Sequence, residues 1–299
     1  MLADARGPEV PTLTEVHRFT HPWEADATLA LRAGHTRAAR TYIEQGRVDS
    51  GPREEALDRL FDAWLADDQA GKTSLMVAGD AATVTDLNAR ARVHRVAAGD
   101  VDADGVTTRE GERIGVGDVI VTRLNRRALA AGSGWVKNGD DWIVTATRAD
   151  GSLTVARPDG TGRTVLPAEY VHDHVELGYA TTAHRAQGRT VDTTHAYVST
   201  ATTREALYVM TTRGRDANRL YVDTTPDTYD SNIQAAPNQA LDARDVLRHA
   251  IATSAADVSA HHTVTAEYER AAARWRLDAE AAARRGIGAA RSPTIDGSR

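Results

Sequence analysis

Strand-then-helix patterns lie on both sides of a stretch punctuated for hairpins, and this interrupted alternation is what most restricts the fold. Upstream, Ser74 to Ala78 reads as a short buried strand, Gly79-Asp80 as a turn, and the segment from about Thr83 as a helix with Val84, Leu87 and Ala91 inward. Before them, Leu57, Leu60, Phe61, Trp64 and Leu65 recur at helical spacing behind Gly51-Pro52 and form one apolar stripe of core. From Asp100 to Val175 the pattern changes to short β-like runs separated by Asn138-Gly139, Asp150-Gly151 and Asp159-Gly160. Asx-Gly pairs supply the positive φ of tight hairpin turns, so this region predicts a small antiparallel unit. Afterwards the alternation resumes: a strand near Leu177 to Thr182, a helix near Ala183, a strand over His195 to Ser199, a helix from Thr202 or Thr203, and a strand over Arg219 to Val222. The β unit is therefore expected as an insertion in an α/β layer.

Residues 9–23 read as a loop or short strand ending at His21-Pro22, because a residue before proline is pushed out of the helical region. Beyond Thr224 a Pro/Asn/Gln-rich stretch reads as linker, and an Ala-rich helix is expected over 241–285. The domain reading is thus 1–110 for the first part of the α/β domain, 111–176 for the insertion, 177–225 for the second part, and 226–299 for linker and helical tail.

With 299 residues the chain can bury a substantial core. Lys plus Arg total 36 against 42 Asp plus Glu, a formal charge of −6, so contact with nucleic acid would have to be local. The chain has no cysteine, which removes disulfides, thiolate metal sites and cysteine nucleophiles and agrees with a reducing compartment. The start, MLADARGPEV, has no basic segment leading into an apolar core, and no run approaches the roughly 18 apolar residues of a membrane span. The expectation is a cytoplasmic protein without a membrane partner.

The most specific signal is GYATTAHRAQGRTVD, residues 178–192, followed by REALYVMTTRGRDANRLYV, residues 204–222. In order and spacing these resemble motifs V and VI of superfamily 1 DNA helicases, in the RecD-like form carried by TraA/MobF-type conjugative relaxase-helicases. LTEVHRF (13–19) resembles motif IV, and TVTDLNARAR (83–92) and GDVIVTRLNRR…VKNGDDW (117–142) match the same lineage. The resemblance covers about residues 9–225 and implies the C-terminal 2A/2B part: a RecA-like, P-loop NTPase-type parallel sheet with an inserted SH3-like β unit and a C-terminal helical extension.

The resemblance also implies roles. Arg213 stands where the family places its arginine finger, which reaches across a domain seam to stabilise phosphoryl transfer. Arg18 would be a second γ-phosphate contact, and Gln187 with Gly188 would lie on the ATP side. Thr182 and His184 would lie on the DNA-backbone side, at a helix start that offers free amides to an anion. In the insertion, Arg123, Arg126, Arg127 and Lys137 fall with Trp135 in an acid-free run over 119–139, a composition suited to single-stranded DNA. Asn125 and Asn138 match recurring family positions, and Asn125, Arg126, Trp135 and Lys137 are taken as DNA-binding candidates.

Two expected parts are missing from the sequence. Gly71-Lys72-Thr73-Ser74 evokes a phosphate loop, but Ala66 stands where its first glycine belongs, and an apolar helix precedes it instead of a strand. It reads as a turn before a strand. No acidic pair follows an apolar strand in the Walker B manner, so ATP and Mg2+ would be bound only with a first RecA-like domain, expected upstream. His261-His262 is a lone pair whose side chains diverge by about 100° on a helix, and no metal site is assigned. Three readings remain: the C-terminal half of an ATP-dependent helicase moving on single-stranded DNA in conjugative transfer, partnered by an upstream RecA-like domain or relaxase; a non-catalytic DNA-binding or assembly module derived from one; and a truncated remnant.

Overall fold

The computed structural model describes residues 19–226 and 240–255. The chain divides into two units, Met1–Ala252 and Thr253–Arg299, and every element below belongs to the first. The first elements are α1 (Pro22–Arg32), α2 (Arg37–Glu44), β1 (Val48–Gly51), α3 (Arg53–Gln69), β2 (Ser74–Ala78) and α4 (Ala81–Ala98). The insertion carries β3 (Val106–Thr107), β4 (Arg113–Ile114), β5 (Val119–Thr122), β6 (Arg126–Ala131), β7 (Gly134–Val136), β8 (Asp141–Thr147), β9 (Leu153–Ala156), β10 (Arg163–Leu166), α5 (Ala168–His174) and β11 (Val175–Leu177). The chain then forms β12 (Ala180–Thr182), α6 (Ala183–Ala186), β13 (Val191–Val198), α7 (Arg204–Met210), β14 (Gly214–Asp223) and α8 (Ala243–Ala252).

Local chemistry sets the helix ends. Pro22 opens α1 with its φ already fixed and its missing N–H harmless in the first turn. The Asp80 carboxylate caps α4 by accepting from the Thr83 amide at 2.8 Å, and Gly99, at φ +81°, ends the helix in the left-handed conformation.

Five strands form one parallel sheet in the order β1-β14-β13-β2-β12. Alternation along each strand sends side chains to opposite faces, which builds a three-layer sandwich. Leu75 and Val77 of β2 join Ala196, Val198, Leu220 and Val222 under α1, α2, α7 and α8. Met76 and Ala78 join Tyr197 and Tyr221 on the other face, against the α3 and α4 residues Leu57, Leu60, Trp64 and Leu87. Full burial of each large apolar side chain contributes about 1.5–3 kcal/mol before entropy is counted.

The insertion forms an antiparallel sheet ordered β10-β9-β8-β5-β11, with two small ladders, β3-β4 and β6-β7. Gly139, Gly151 and Gly160 all sit at positive φ, at +86°, +83° and +74°, so the three Asx-Gly turns lie where the sequence puts them. The α/β parallel sheet carrying an inserted antiparallel unit is therefore present. The β3-β4 ladder straddles residues 110–111.

Several elements differ from the sequence reading. The single strand expected over Leu177 to Thr182 is two strands in two sheets. β11 pairs antiparallel with β5 and β12 parallel with β2. Gly178 makes the handover, packed so closely that a Cβ there would meet the Ile120 carbonyl carbon at 3.2 Å. Asn88 of α4 fixes both sides of the break: its amide donates to Leu177 O at 3.3 Å and its carbonyl accepts from Ala180 N at 2.8 Å. β14 begins at Gly214 and not at Arg219, because pairing with β13 holds the polar run GRDANR extended, and β1 joins its other side only from Leu220 onward. β1, with the polar sequence VDSG, has no strand signal of its own. The segment before Phe19, which includes the site candidate Arg18, and the helical tail beyond residue 255 lie outside the described residues. Among the described residues no helix is long and apolar enough to cross a membrane.

Candidate functional site

β12 and β13 both run parallel to β2, so the chain between Thr182 and Val191 must return from the C-terminal edge of the sheet to its N-terminal edge. Within that crossover Thr182 caps α6, its hydroxyl accepting from Arg185 N at 3.4 Å. The helix stops at Gln187, which is extended (φ −60°, ψ 130°), and Gly188 follows at φ +91°. A Cβ on Gly188 would meet nothing within 4 Å, so the demand for glycine comes from backbone conformation and not from crowding.

The crossover forms one wall of an open cleft of about 490 Å3, lined on this side by Thr181, His184, Arg185, Gln187, Gly188 and Arg189. Val121, Arg123, Asn138 and Gly139 of the insertion form the other wall. Charge is concentrated here. Arg123 donates through Nε (2.9 Å) and Nη2 (2.8 Å) to Glu176 Oε2, which also accepts from Arg185 Nη1 at 2.7 Å. Arg189 Nη2 donates to Asp141 Oδ2 at 2.6 Å. Burial lowers the Arg123 pKa, opposed by Glu176 and assisted by the like charges of Arg185 and Arg189. Burial likewise raises the Asp141 pKa against the pull of Arg189 and Arg123. Three guanidinium groups and one imidazole thus share the cleft region with two carboxylates.

Thr182 points elsewhere. It borders a second cavity of about 360 Å3, whose lining includes Glu110, Glu112, Glu176, Asn88 and Arg185.

Arg213 lies between α7 and β14, at the N-terminal edge of the sheet, and is 7% exposed. Its guanidinium folds back on its own helix: Nε donates to Val209 O at 3.1 Å and Nη2 to Thr212 Oγ1 at 2.7 Å. The last carbonyls of a helix lack intrahelical donors and carry the negative end of its dipole, which suits a cation. Nη1 donates to Arg189 O at 3.4 Å, joining Arg213 to the crossover. The next residue is held rigidly: Gly214 N donates to Asn218 Oδ1 (2.8 Å), and Asn218 Nδ2 donates to Gly214 O (3.0 Å) and to Glu24 Oε1 (2.9 Å). Both Asn218 and Glu24 are fully buried, and burial raises the Glu24 pKa against its Asn218 hydrogen bond.

Lys72 and Thr73 sit at the same sheet edge, but not as a phosphate loop. They precede β2 instead of following a strand, Lys72 Nζ is paired to Asp67 Oδ1 at 2.6 Å, and the Thr73 hydroxyl donates to Asp192 Oδ2 at 2.7 Å.

The structure therefore brings His184, Gln187 and Gly188 into one cleft, although the family resemblance divides them between DNA and nucleotide sides. It joins Arg213 to them through Arg189. Asn125 stands behind the cleft, its Oδ1 accepting from the Asn138 amide at 2.9 Å. Arg126, Trp135 and Lys137 lie outside the cleft lining, Arg126 and Trp135 on the β6-β7 hairpin and Lys137 just past it. There the Trp135 ring has the Arg127 guanidinium at 5.5 Å and the Lys137 ammonium at 5.7 Å from its centre. Next to Arg18, the described chain begins against the same edge as Arg213: Thr20 N donates to Arg215 O and Thr20 Oγ1 to Asp216 Oδ1, both at 2.8 Å. Sequence reasoning overlooked Arg185 and Arg189. Their spacing around Gln187 in AHRAQGR was the available signal. Glu176 had none, being one of 42 acidic residues.

Comparison with known proteins adds kinship. A family model described as an AAA domain matches residues 1–53. The chain is 29% identical over 225 residues to the conjugal transfer protein TraA of Rhizobium radiobacter, covering 74% of this chain and 20% of that protein. It is 32% identical over 213 residues to the probable conjugal transfer protein TraA of Sinorhizobium fredii, covering 70% and 19%. An uncharacterized protein of Mycobacterium tuberculosis is 38% identical over 111 residues, 37% of this chain and 63% of that one. The chain thus spans about a fifth of the length of its curated TraA relatives. Among solved structures, Pif1 helicase from Bacteroides in complex with ADP-AlF3 and ssDNA aligns over 85% of this chain and 56% of that one, with a TM-score of 0.44 and 16% identity. Pif1 helicase from Candida albicans aligns over 83% and 58%, with a TM-score of 0.43 and 12% identity. Over about 70% of its length the chain is thus similar to a segment of the conjugal transfer TraA proteins, and the stretches that resemble helicase motifs V and VI lie on its parallel sheet.

Proposed function

We propose that this chain acts as the C-terminal half of an ATP-dependent helicase or translocase on single-stranded DNA in conjugative transfer. Its own residues supply a cation to the nucleotide and a path for the strand, and a first RecA-like domain supplies the phosphate loop and the acidic pair for Mg2+. The observation that carries this reading is the crossover over residues 183–190. One short segment lines a cationic cleft against the insertion and is hydrogen-bonded to Arg213 at the sheet edge. This supports a reading in which groups for the two ligands share one piece of backbone.

On this reading the chain fits only the outer side of a nucleotide. Gln187 is exposed and available to it, and Arg213 would turn from the α7 carbonyls to reach a phosphate presented by the facing domain. A guanidinium suits that exchange because it forks onto phosphate oxygens as readily as onto carbonyls. Mg2+ held by the first domain would neutralise charge on the phosphates; Arg213 would add positive charge where more develops. Thr182, His184, Asn125, Arg126, Trp135 and Lys137 are assigned to the DNA side, and Arg18 with Arg213 to the ATP side.

The test is Arg213→Ala in a protein that joins this chain to its first domain. ATP turnover should fall by roughly a thousandfold or more while single-stranded DNA binding stays nearly intact. Equal loss of both would reject the assignment. The second reading, a non-catalytic DNA-binding module, is favoured by one observation: within this chain Arg213 is buried and already committed to main-chain oxygens.

A further inference from the structure

Glu176 is the only carboxylate to which two of the cleft arginines converge among the described residues, and it uses a single oxygen for both. Oε2 accepts two bonds from Arg123 and one from Arg185. A pair of guanidinium forks around one anionic oxygen is also the arrangement by which arginines hold a phosphate oxygen. The pair bridges the two walls of the cleft, Arg123 from the insertion and Arg185 from α6. The contact is not sealed: Glu176 is 29% exposed and Arg185 45%.

The far side of Glu176 is the acidic cavity containing Glu110 and Glu112. Burial raises the Glu112 pKa, and the nearby charge of Glu176 raises it further. A carboxylate leaving the arginines would face solvent or these two like charges, so the folded chain favours Glu176 in place. An incoming group must therefore compete with it, and the exchange is balanced when one negative charge replaces another. A phosphodiester carries one. A triphosphate carries several and would meet Asp141, Glu112 and the displaced Glu176 at close range.

We infer that Arg123 and Arg185 form a seat for one phosphodiester of single-stranded nucleic acid, which Glu176 occupies in the free chain and must vacate for the strand to bind. The seat rests on the DNA-facing reading of the cleft given above, and it adds a built-in restraint on affinity. Nucleic acid binds against an internal competitor, so affinity and salt dependence are both lower than the local arginine count would give.

The experiment uses the full chain, with fluorescence anisotropy of a labelled single-stranded oligonucleotide over a series of salt concentrations. Glu176→Gln should tighten binding roughly fivefold or more at low salt and steepen the salt dependence, by about 0.7 in the log-log slope for each arginine released. Glu110→Gln removes the same charge from the neighbouring cavity without touching an arginine, and should change affinity less than twofold. In an Arg123→Gln/Arg185→Gln background, Glu176→Gln should have no effect. Inorganic triphosphate should not displace the oligonucleotide at matched ionic strength. Thermal melts establish that each variant is folded, and the conservative Glu176→Gln keeps the side chain's shape. Equal gains from Glu176→Gln and Glu110→Gln would show only a net-charge effect and overturn the seat, as would triphosphate displacing the strand. Wild-type binding left unchanged by Glu176→Gln would overturn the seat alone, whereas no strand binding by any variant would also remove the DNA-facing reading.

Discussion

His195 shows how far a side chain's chemistry can depart from its sequence appearance. It lies in the middle of β13, fully buried, with Nε2 3.0 Å from Asp67 Oδ2 and Nδ1 3.1 Å from the Tyr221 hydroxyl. Burial lowers its pKa to about 4, outweighing the opposing pull of Asp67. A histidine whose folded pKa lies below its unfolded value of about 6.5 binds its proton more readily when unfolded. Its contribution is therefore complete above pH 6.5 and is lost as pH falls from there towards 4. Urea melts of wild type and His195→Gln across that window should converge as pH falls, the variant having the flatter profile; parallel profiles would show that the imidazole is already charged in the fold. Arg213 teaches a related lesson. Its identity as a candidate was legible from TTRGR, but its orientation was not, because that depends on the α7 carbonyls and on Arg189. Glu176 was illegible altogether, since its two arginine partners lie 53 and 9 residues away.

Among the elements, legibility followed locality. The three Asx-Gly turns and the apolar stripe of α3 were readable because their causes lie within a few residues. β1 and the first half of β14 were not, because ladder partners from distant parts of the chain hold those polar runs extended. The same reasoning explains why the strand near 177–182 is broken. Nothing local marks the division except Gly178, and the switch between sheets is enforced by Asn88, which reaches both flanks from α4. Asn88→Ala would leave a buried amide and a buried carbonyl without this partner, and should lower stability by about 1–3 kcal/mol. Equilibrium urea unfolding should show a lower midpoint at unchanged slope, together with weakened DNA binding, since the β12-α6 segment starts the cleft wall. An unchanged midpoint would mean that other contacts set the handover.

For the molecule as a whole, composition and local structure point in different directions. The net charge of −6 gives no sign of an anionic partner, yet the fold gathers Arg123, Arg185 and Arg189 at one cleft while their acidic partners stand behind them. The insertion supplies one wall, the parallel sheet the other, and the crossover from β12 to β13 connects that cleft with the edge where Arg213 and Thr73 lie. On the proposed function, this arrangement would supply the cationic half of a nucleotide-driven motor, with the phosphate loop coming from a facing domain.

ATP hydrolysis in the presence and absence of single-stranded DNA, by the chain alone and by the chain joined to a first RecA-like domain, tests this directly. The chain alone should hydrolyse nothing, and the joined protein should show turnover that rises with DNA. Robust hydrolysis by a clean preparation of the chain alone, or a joined protein whose turnover ignores DNA, would contradict it.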